Sequence, residues 1–325
     1  MMKTFFKALC AVSVGMVMFG SCQEKITDEA VGEKVYFDVS VSSVETKLTG
    51  SVNEATISNY QVFLYNDAGV LEAYVRKTTS DLSLECTVGI KTIVVLANAP
   101  SMTDCSTLST LLAKTSSLKD NSAGAFVMVG KISQTISKTT TSVPVQVTRL
   151  VSKVRLSKLE VAFEMPQYQS QTFKVSSVYL INVPADRNYF TSSTASTWFH
   201  KSKYISSDAC SLIYDDMKGV TVSSTAPYTS QNTFYCYPNT TESDSFSTTW
   251  SARHTRLVVE ATLGSTTYYY PVTLPVMASN KIYDVNLKIT RPGATKPDAE
   301  VDKFAAGFTV SVKDWETGTT VSEEI

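Results

Sequence analysis

Residues able to carry chemistry are few in this chain. Histidine occurs twice, at His200 and His254, and cysteine six times. There is no H-E-x-x-H pair, no Cys/His cluster with metal-ligand spacing, no G-x-S-x-G elbow and no G-x-x-x-x-G-K-[ST] phosphate loop. Asp215 and Asp216 are adjacent carboxylates in a stretch that reads as a loop, where a solvated turn explains them better than a metal or acid/base site. His254, between Arg253 and Thr255, reads as a surface residue near a strand start. Tyr268, Tyr269 and Tyr270 could line a sugar site, but alternate residues of a strand face opposite sides, so core plus rim accounts for them. Asn239-Thr240-Thr241 has the form of a glycosylation sequon and nothing more. Neither a catalytic residue, a metal nor a cofactor is expected, and the chain does not read as an enzyme.

The cysteines divide by position. Lys3 and Lys7 precede an unbroken apolar and small stretch over 8–19, followed by Gly20, Ser21 and Cys22. A charged start, a short apolar run and small residues before a cut mark residues 1–21 as a signal peptide. The run is too short to span a bilayer as a helix, which needs about 20 residues. Small residues directly before Cys22 resemble the lipobox of bacterial lipoproteins, with Phe19 where a branched aliphatic residue is usual. Acylation (palmitate or a similar chain) of Cys22 would anchor the chain, at ~0.8 kcal/mol per buried methylene. An ordinary secretory signal with an incidental cysteine is the alternative. Residues 22–34 then form a polar tether. Cys10 leaves with the signal, and Cys86, Cys105, Cys210 and Cys236 remain. An exported chain can form disulfides. Cys86 with Cys105 and Cys210 with Cys236 could pair, or all four could be buried thiols.

The elements that position these residues read as strands. Hydrophobic content is 43%, charge is 18% and the net charge is −1, which argues against nucleic acid or acidic lipid as the main partner. Val35, Phe37, Val39 and Val41 alternate with polar residues at the period of a half-buried strand. Further strands are expected over 60–65, 82–88, 92–97, 126–129 and 143–147, with a polar loop over 42–56. One short helix is expected at Leu108, Leu111 and Leu112, capped by Ser106 or Thr107. In the second half the strands fall over 153–165, with a slip near Lys158, and over 178–183, 233–237 and 282–289. A hairpin joins 256–263 to 266–274 around Gly264-Ser265. Residues 185–231 show few clear strands. Phe308, Val310 and Val312 alternate once more before Trp315. The pattern predicts an all-β protein of two antiparallel β-sandwich domains in tandem, 35–150 and 151–325, with minor helix.

In order and spacing the chain resembles the fimbrillin family of the Bacteroidales, the major fimbrial subunit proteins. The resemblance rests on Gly20-Ser21-Cys22, on 62–69 (VFLYNDAG) and 93–100 (IVVLANAP), and on 178–183 (VYLINV), 234–239 (FYCYPN) and 269–274 (YYPVTL). The run from Tyr283 through Arg291-Pro292-Gly293 to Pro297-Asp298, and the closing 308–315 (FTVSVKDW), complete it. It implies transthyretin-like sandwiches and a structural pilus subunit that travels as a lipoprotein to the outer membrane and acts in adhesion. It also implies polymerisation by strand exchange. A trypsin-like protease cuts behind the first strand, here after Lys47 and before Leu48, where the family usually carries Arg. The strand bearing Val35, Phe37, Val39 and Val41 leaves, and a neighbour's strand fills the groove; Phe308, Val310 and Val312, with Trp315 as anchor, are the preferred donor. The expected partners are other fimbrial subunits, the outer membrane through the lipid, and a host or bacterial surface receptor, with no nucleic acid. An anchor or tip accessory subunit and a surface glycan-binding lipoprotein are the alternatives.

Overall fold

The structure, a computed structural model, describes residues 32–43, 54–192, 194–244, 249–299 and 306–315, and the backbone of 320–323. Residues 34–325 form one compact unit. The signal peptide, Cys22, most of the tether, Lys47 and Leu48 lie outside the described residues.

The first half is built from β1 (Lys34–Ser43), β2 (Tyr60–Asn66), β3 (Leu71–Lys77), β4 (Ser83–Thr87), β5 (Gly89–Ala97), the short β6 (Thr115–Ser117), β7 (Met128–Ile136) and β8 (Ser142–Arg149). Seven of them form one sheet in the order β3-β2-β5-β7-β8-β1-β4. The sheet folds over on itself where β7 meets β8 through two residue pairs only, Met128 with Arg149 and Val129 with Thr148. Phe37 and Val39 of β1 and Val143, Val145 and Val147 of β8 thereby share a core with Val62, Leu64, Ile93 and Val95. The opposite face of β2 and β5, with Phe63, Tyr65, Val94 and Leu96, is buried in a second, larger core that continues to the C-terminal residues. Burial on both faces explains why β2 and β5 read as unbroken apolar runs, whereas β1 and β8, polar on one side, alternate.

Between β5 and β7, helix α1 (Leu108–Leu112) is capped by Thr107, whose side chain accepts from Thr110 N in a reciprocal capping box. Leu111 buries the inner face of that single turn.

The second half comprises β9 (Ser152–Val161), a turn of helix α2 (Pro166–Gln169), β10 (Phe173–Ile181), the short β11 (Val183–Pro184), β12 (Asp186–Asn188) and β13 (Trp198–Phe199), then β14 (Tyr214–Val222), β15 (Asn232–Cys236), β16 (Arg256–Leu263), β17 (Thr266–Thr273), β18 (Lys281–Ile289), β19 (Ala306–Asp314) and β20 (Thr320–Glu323). A four-stranded sheet, β14-β10-β16-β17, and a five-stranded sheet, β15-β9-β18-β19-β20, carry the larger core. Pairing is antiparallel in both halves except for β1 with β8 and β18 with β9.

The slip expected near Lys158 is a β-bulge: Val285 pairs with Leu156 and Asn286 with Lys158, so Ser157 is the extra residue. The expected hairpin is β16–β17, closed by Gly264 at φ 60°. Among the longer strands, β3 and β14 were not expected. In β3 most residues are only half-buried, and the strand lies at one edge of its sheet. In β14 the chain bulges at Lys218 (φ 52°) and Gly219 (φ 75°), which breaks the alternation. Asp215 and Asp216 therefore sit on a strand rather than in a loop.

Candidate functional site

β1 is held in an unusual way. Residues Lys34–Asp38 pair antiparallel with β4, and Asp38–Ser43 pair parallel with β8. Only Asp38 has a partner on both sides. The ladder is supplemented by Asp38 N donating to Thr141 O (3.0 Å) and Val39 N donating to Leu82 O (2.9 Å). Among the described residues β4 has no other strand neighbour, and β1 alone joins it to the seven-stranded sheet. Phe37 and Val39 point fully into the core, and Val35 and Val41 pack against its rim half-buried. Burying Phe37 and Val39 contributes about 1.5–3 kcal/mol each. Losing this strand would uncover Leu84 and Cys86 on one side and Val143, Val145 and Val147 on the other, with both flanking backbones unpaired.

The C-terminal strand expected as donor occupies a place in its own sheet. β19 runs antiparallel to β18 from Lys281–Asp314 to Ile289–Ala306, and β20 pairs with its outer side. Val310 is buried, while Phe308 and Val312 lie half-buried against the larger core. Three polar links fasten the strand. Lys313 Nζ reaches Asp284 (2.5 Å), which Arg155 holds from β9. Lys281 pairs with Asp314. Trp315, 1% exposed, enters a buried cluster around Glu54.

That cluster gathers residues far apart in sequence. Glu54 follows β1 in the chain. Its Oε1 accepts from Lys153 Nζ (2.6 Å) and from the Tyr235 hydroxyl, and its Oε2 accepts from Trp315 Nε1 (2.9 Å). Arg149 Nε donates to the Glu54 carbonyl (3.1 Å), and its guanidinium lies 4.9 Å from the Trp315 ring centre. Burial pushes the Glu54 carboxyl up, but its donors together outweigh that and hold it below its ordinary value. For Lys153, burial outweighs the Glu54 and Asp284 carboxylates and its pKa falls. No sequence signal pointed to Glu54, because every partner is supplied by the fold.

The remaining expected residues disperse. Cys86, Cys105, Cys210 and Cys236 are thiols. Cys86 lies in the sandwich core, whereas Cys105 and Cys236 lie in the larger one, with Cys210 against it. The three tyrosines divide as alternation requires: Tyr268 and Tyr270 face the larger core, and Tyr269 the opposite side with Tyr179 and Tyr214. His200 is buried, its Nδ1 2.9 Å from Leu180 O, and burial lowers its pKa. Asp215 accepts from Asn232 and Asp216 from Lys218 N, so the acidic pair is spent on structure. Among the described residues no group of three or more His, Cys, Asp or Glu is placed to hold a metal ion.

The same architecture recurs in known proteins. Residues 36–157 match the family model of the major fimbrial subunit protein (FimA). No curated protein matches the chain. Among solved structures, the fimbrilin of Porphyromonas gingivalis W83 is 18% identical at a TM-score of 0.62, over 87% of this chain and 98% of that one. A candidate cell adhesion protein of Bacteroides eggerthii DSM 20697 is 19% identical at a TM-score of 0.62, over 87% of this chain and 97% of its own. Another from Parabacteroides distasonis ATCC 8503 is 18% identical at 0.61, over 88% and 97%. These likenesses show a shared fold over nearly the whole length. With the matched segment they agree with the resemblance read from the sequence.

Proposed function

We propose that this chain is a fimbrial shaft subunit, exported as a lipoprotein acylated on Cys22, that polymerises by strand exchange. Cleavage after Lys47 would release β1 with its lipid from the outer membrane. The β19 strand of the next subunit, with Phe308, Val310 and Val312, would then enter the vacated groove. Residues 35–150 would act as the acceptor sandwich and 151–325 as the donor one, and the assembled fimbrium would serve adhesion to a host or bacterial surface.

The observation that carries this reading is the double attachment of β1. It completes the core with Phe37 and Val39 and, among the described residues, is the one strand neighbour of β4. A strand with both roles cannot leave without replacement, and an incoming strand would recover apolar burial and backbone pairing together. The replacement has the right character, since β19 presents Phe308, Val310 and Val312 on alternate positions toward its core.

Treating the purified precursor with a trypsin-like protease tests it. The expected products are a new N-terminus at Leu48 and a ladder of oligomers on a non-denaturing gel. A cleaved chain that stays monomeric would overturn the proposal. A second reading is favoured by Lys47 itself, which stands where the family usually has Arg. An anchor subunit would keep its first strand and lipid, resist the protease, and cap a fimbria rather than extend it.

A further inference from the structure

One cavity carries positive charge with nothing to balance it. It encloses about 250 Å³ and is walled by parts of β7, β8 and β12, which contribute Lys131, Arg149 and Arg187, together with the hydroxyl residues Thr148 and Ser279. Among the described residues no aspartate or glutamate lines it. The volume is below the roughly 300–1,000 Å³ of pockets for drug-sized ligands, so it suits one compact group. The whole chain is nearly neutral, at −1, so three cations on one small wall are a local excess.

Arg187 is the central group. Its strand is fixed by pairing with β6, where Arg187 stands opposite Ser116. Arg187 Nε donates to Asn188 O (3.1 Å), and Nη1 donates to Leu150 O (2.8 Å) and to Ser279 Oγ. A guanidinium has five N–H donors, so these bonds use three and leave the two on Nη2. Neither has an acceptor among the described residues, and Nη2 is not one of the side-chain atoms sealed from solvent without a partner. The side chain is half-buried, burial lowers its pKa, and no carboxylate beside it offsets this. A cation withdrawn from water without a counter-charge is costly.

The neighbouring groups are donors as well. Ser279 accepts from Arg187 and keeps its own hydroxyl hydrogen to give. Lys131 is exposed, with no hydrogen bond or ion pair among the described residues. Arg149, 1% exposed and held by the Glu54 carbonyl and by Asn280 Oδ1 (3.2 Å), adds a fixed positive charge. Guanidinium and ammonium groups around one small space select an anion. Three separate donor groups ask for three acceptor oxygens, which a phosphoryl or sulfuryl group presents and a carboxylate does not.

We infer that this cavity binds a tetrahedral oxyanion, a phosphate or sulfate group, with Arg187 Nη2, Lys131 and the Ser279 hydroxyl as its donors. These donors lie outside β1 and β19, so the site stands or falls apart from strand exchange.

Isothermal titration calorimetry on the full-length chain, at constant ionic strength, tests it with inorganic phosphate, inorganic sulfate, glucose 6-phosphate, N-acetylglucosamine 6-sulfate and acetate. The expected result is saturable binding of phosphate or sulfate, roughly tenfold or more tighter than acetate. An ester bound more tightly than its inorganic ion would make the group part of a larger molecule, and the reverse would make it a free ion; both outcomes support the site. Lys131→Glu, at an exposed position, should weaken binding roughly tenfold or more, with the thermal midpoint unchanged, because it sets a like charge against the guest. Arg187→Gln should abolish binding, and if that variant does not fold the Lys131 variant still decides. Acetate bound as tightly as the tetrahedral ions, no saturable binding of either ion, or unchanged affinity in Lys131→Glu would each overturn the assignment.

Discussion

Trp315 Nε1 donates a 2.9 Å hydrogen bond to Glu54 Oε2, joining the end of the last core strand to the loop that follows the first, 261 positions away. The same carboxylate is the acceptor for the Lys153 ammonium at 2.6 Å, and both charged side chains are 9% exposed. Glu54 thus holds the segment behind β1, the start of β9 and the end of β19 in one buried cluster. If strand exchange operates as proposed, this cluster remains after cleavage, because Glu54 lies on the retained side of Lys47.

Glu54→Ala is expected to destabilise the chain by about 3–5 kcal/mol, because it leaves the Lys153 charge buried and unpaired. Glu54→Gln should cost less, since the amide still offers an oxygen to Lys153 or Trp315. Glu54→Ala/Lys153→Met should recover much of the loss, as an apolar pair removes the stranded charge. Urea denaturation of these proteins, with Lys153→Met alone to complete the cycle, measures this. Additive effects of the two substitutions would show that the ion pair contributes nothing.

Acid should loosen the same region. Burial raises the carboxyls of Glu54 and Asp284, but the donors from Lys153, Tyr235 and Trp315, and from Arg155 and Lys313, outweigh it and hold both below their ordinary values. In the carboxylate range the folded chain therefore binds fewer protons than the unfolded one. Their stabilisation is complete above the ordinary carboxylate pKa and is lost as pH falls through the folded values. The thermal midpoint is expected to decline below about pH 5, and to decline less steeply in Glu54→Gln. Parallel curves for the two proteins would remove Glu54 from the account.

Phe37→Ala is expected to cost about 3–5 kcal/mol, the usual penalty for truncating a buried phenylalanine. Tyr36→Ala on the neighbouring position should be near neutral, because Tyr36 is 69% exposed. The contrast reads the facing of β1 directly. The Phe37 variant should also shed its first strand more readily, seen as faster proteolysis behind β1. Equal effects of the two substitutions would mean that the strand is not seated as described.

How much of this was legible depended on whether the signal was local. The alternation of Val35, Phe37, Val39 and Val41, the Thr107 cap and the Gly264 turn each lie within a few residues, and the structure places all three as expected. The slip near Lys158 was visible because a bulge shifts the period of a single strand. β14 was hidden by its own bulge at Lys218 and Gly219, and β3 by an edge position that buries little. The attachment of β4 through β1 alone, and the cluster around Glu54, have no local signature. Both arise from pairings across tens to hundreds of residues, and a lone glutamate in a polar loop looks like any solvated one.

The cysteines offer the last test. Burial raises the pKa of Cys86, Cys105, Cys210 and Cys236, so little nucleophilic thiolate exists near neutrality. Cys236 is fully buried and raised furthest, with Cys210 near enough that charge on one disfavours charge on the other. Cys86 and Cys105 lie in different cores, which leaves Cys210 and Cys236 as the pair with a route to oxidation. For the chain from residue 34 onward, a thiol reagent at pH 8 should react slowly when native and with all four cysteines in guanidinium. Two thiols in guanidinium without reductant, with the Cys210→Ser variant giving three, would instead locate a bridge between Cys210 and Cys236. Such a bridge would close a loop of about 25 residues, worth roughly 3 kcal/mol by loop entropy, and would appear as a matching drop in stability on reduction.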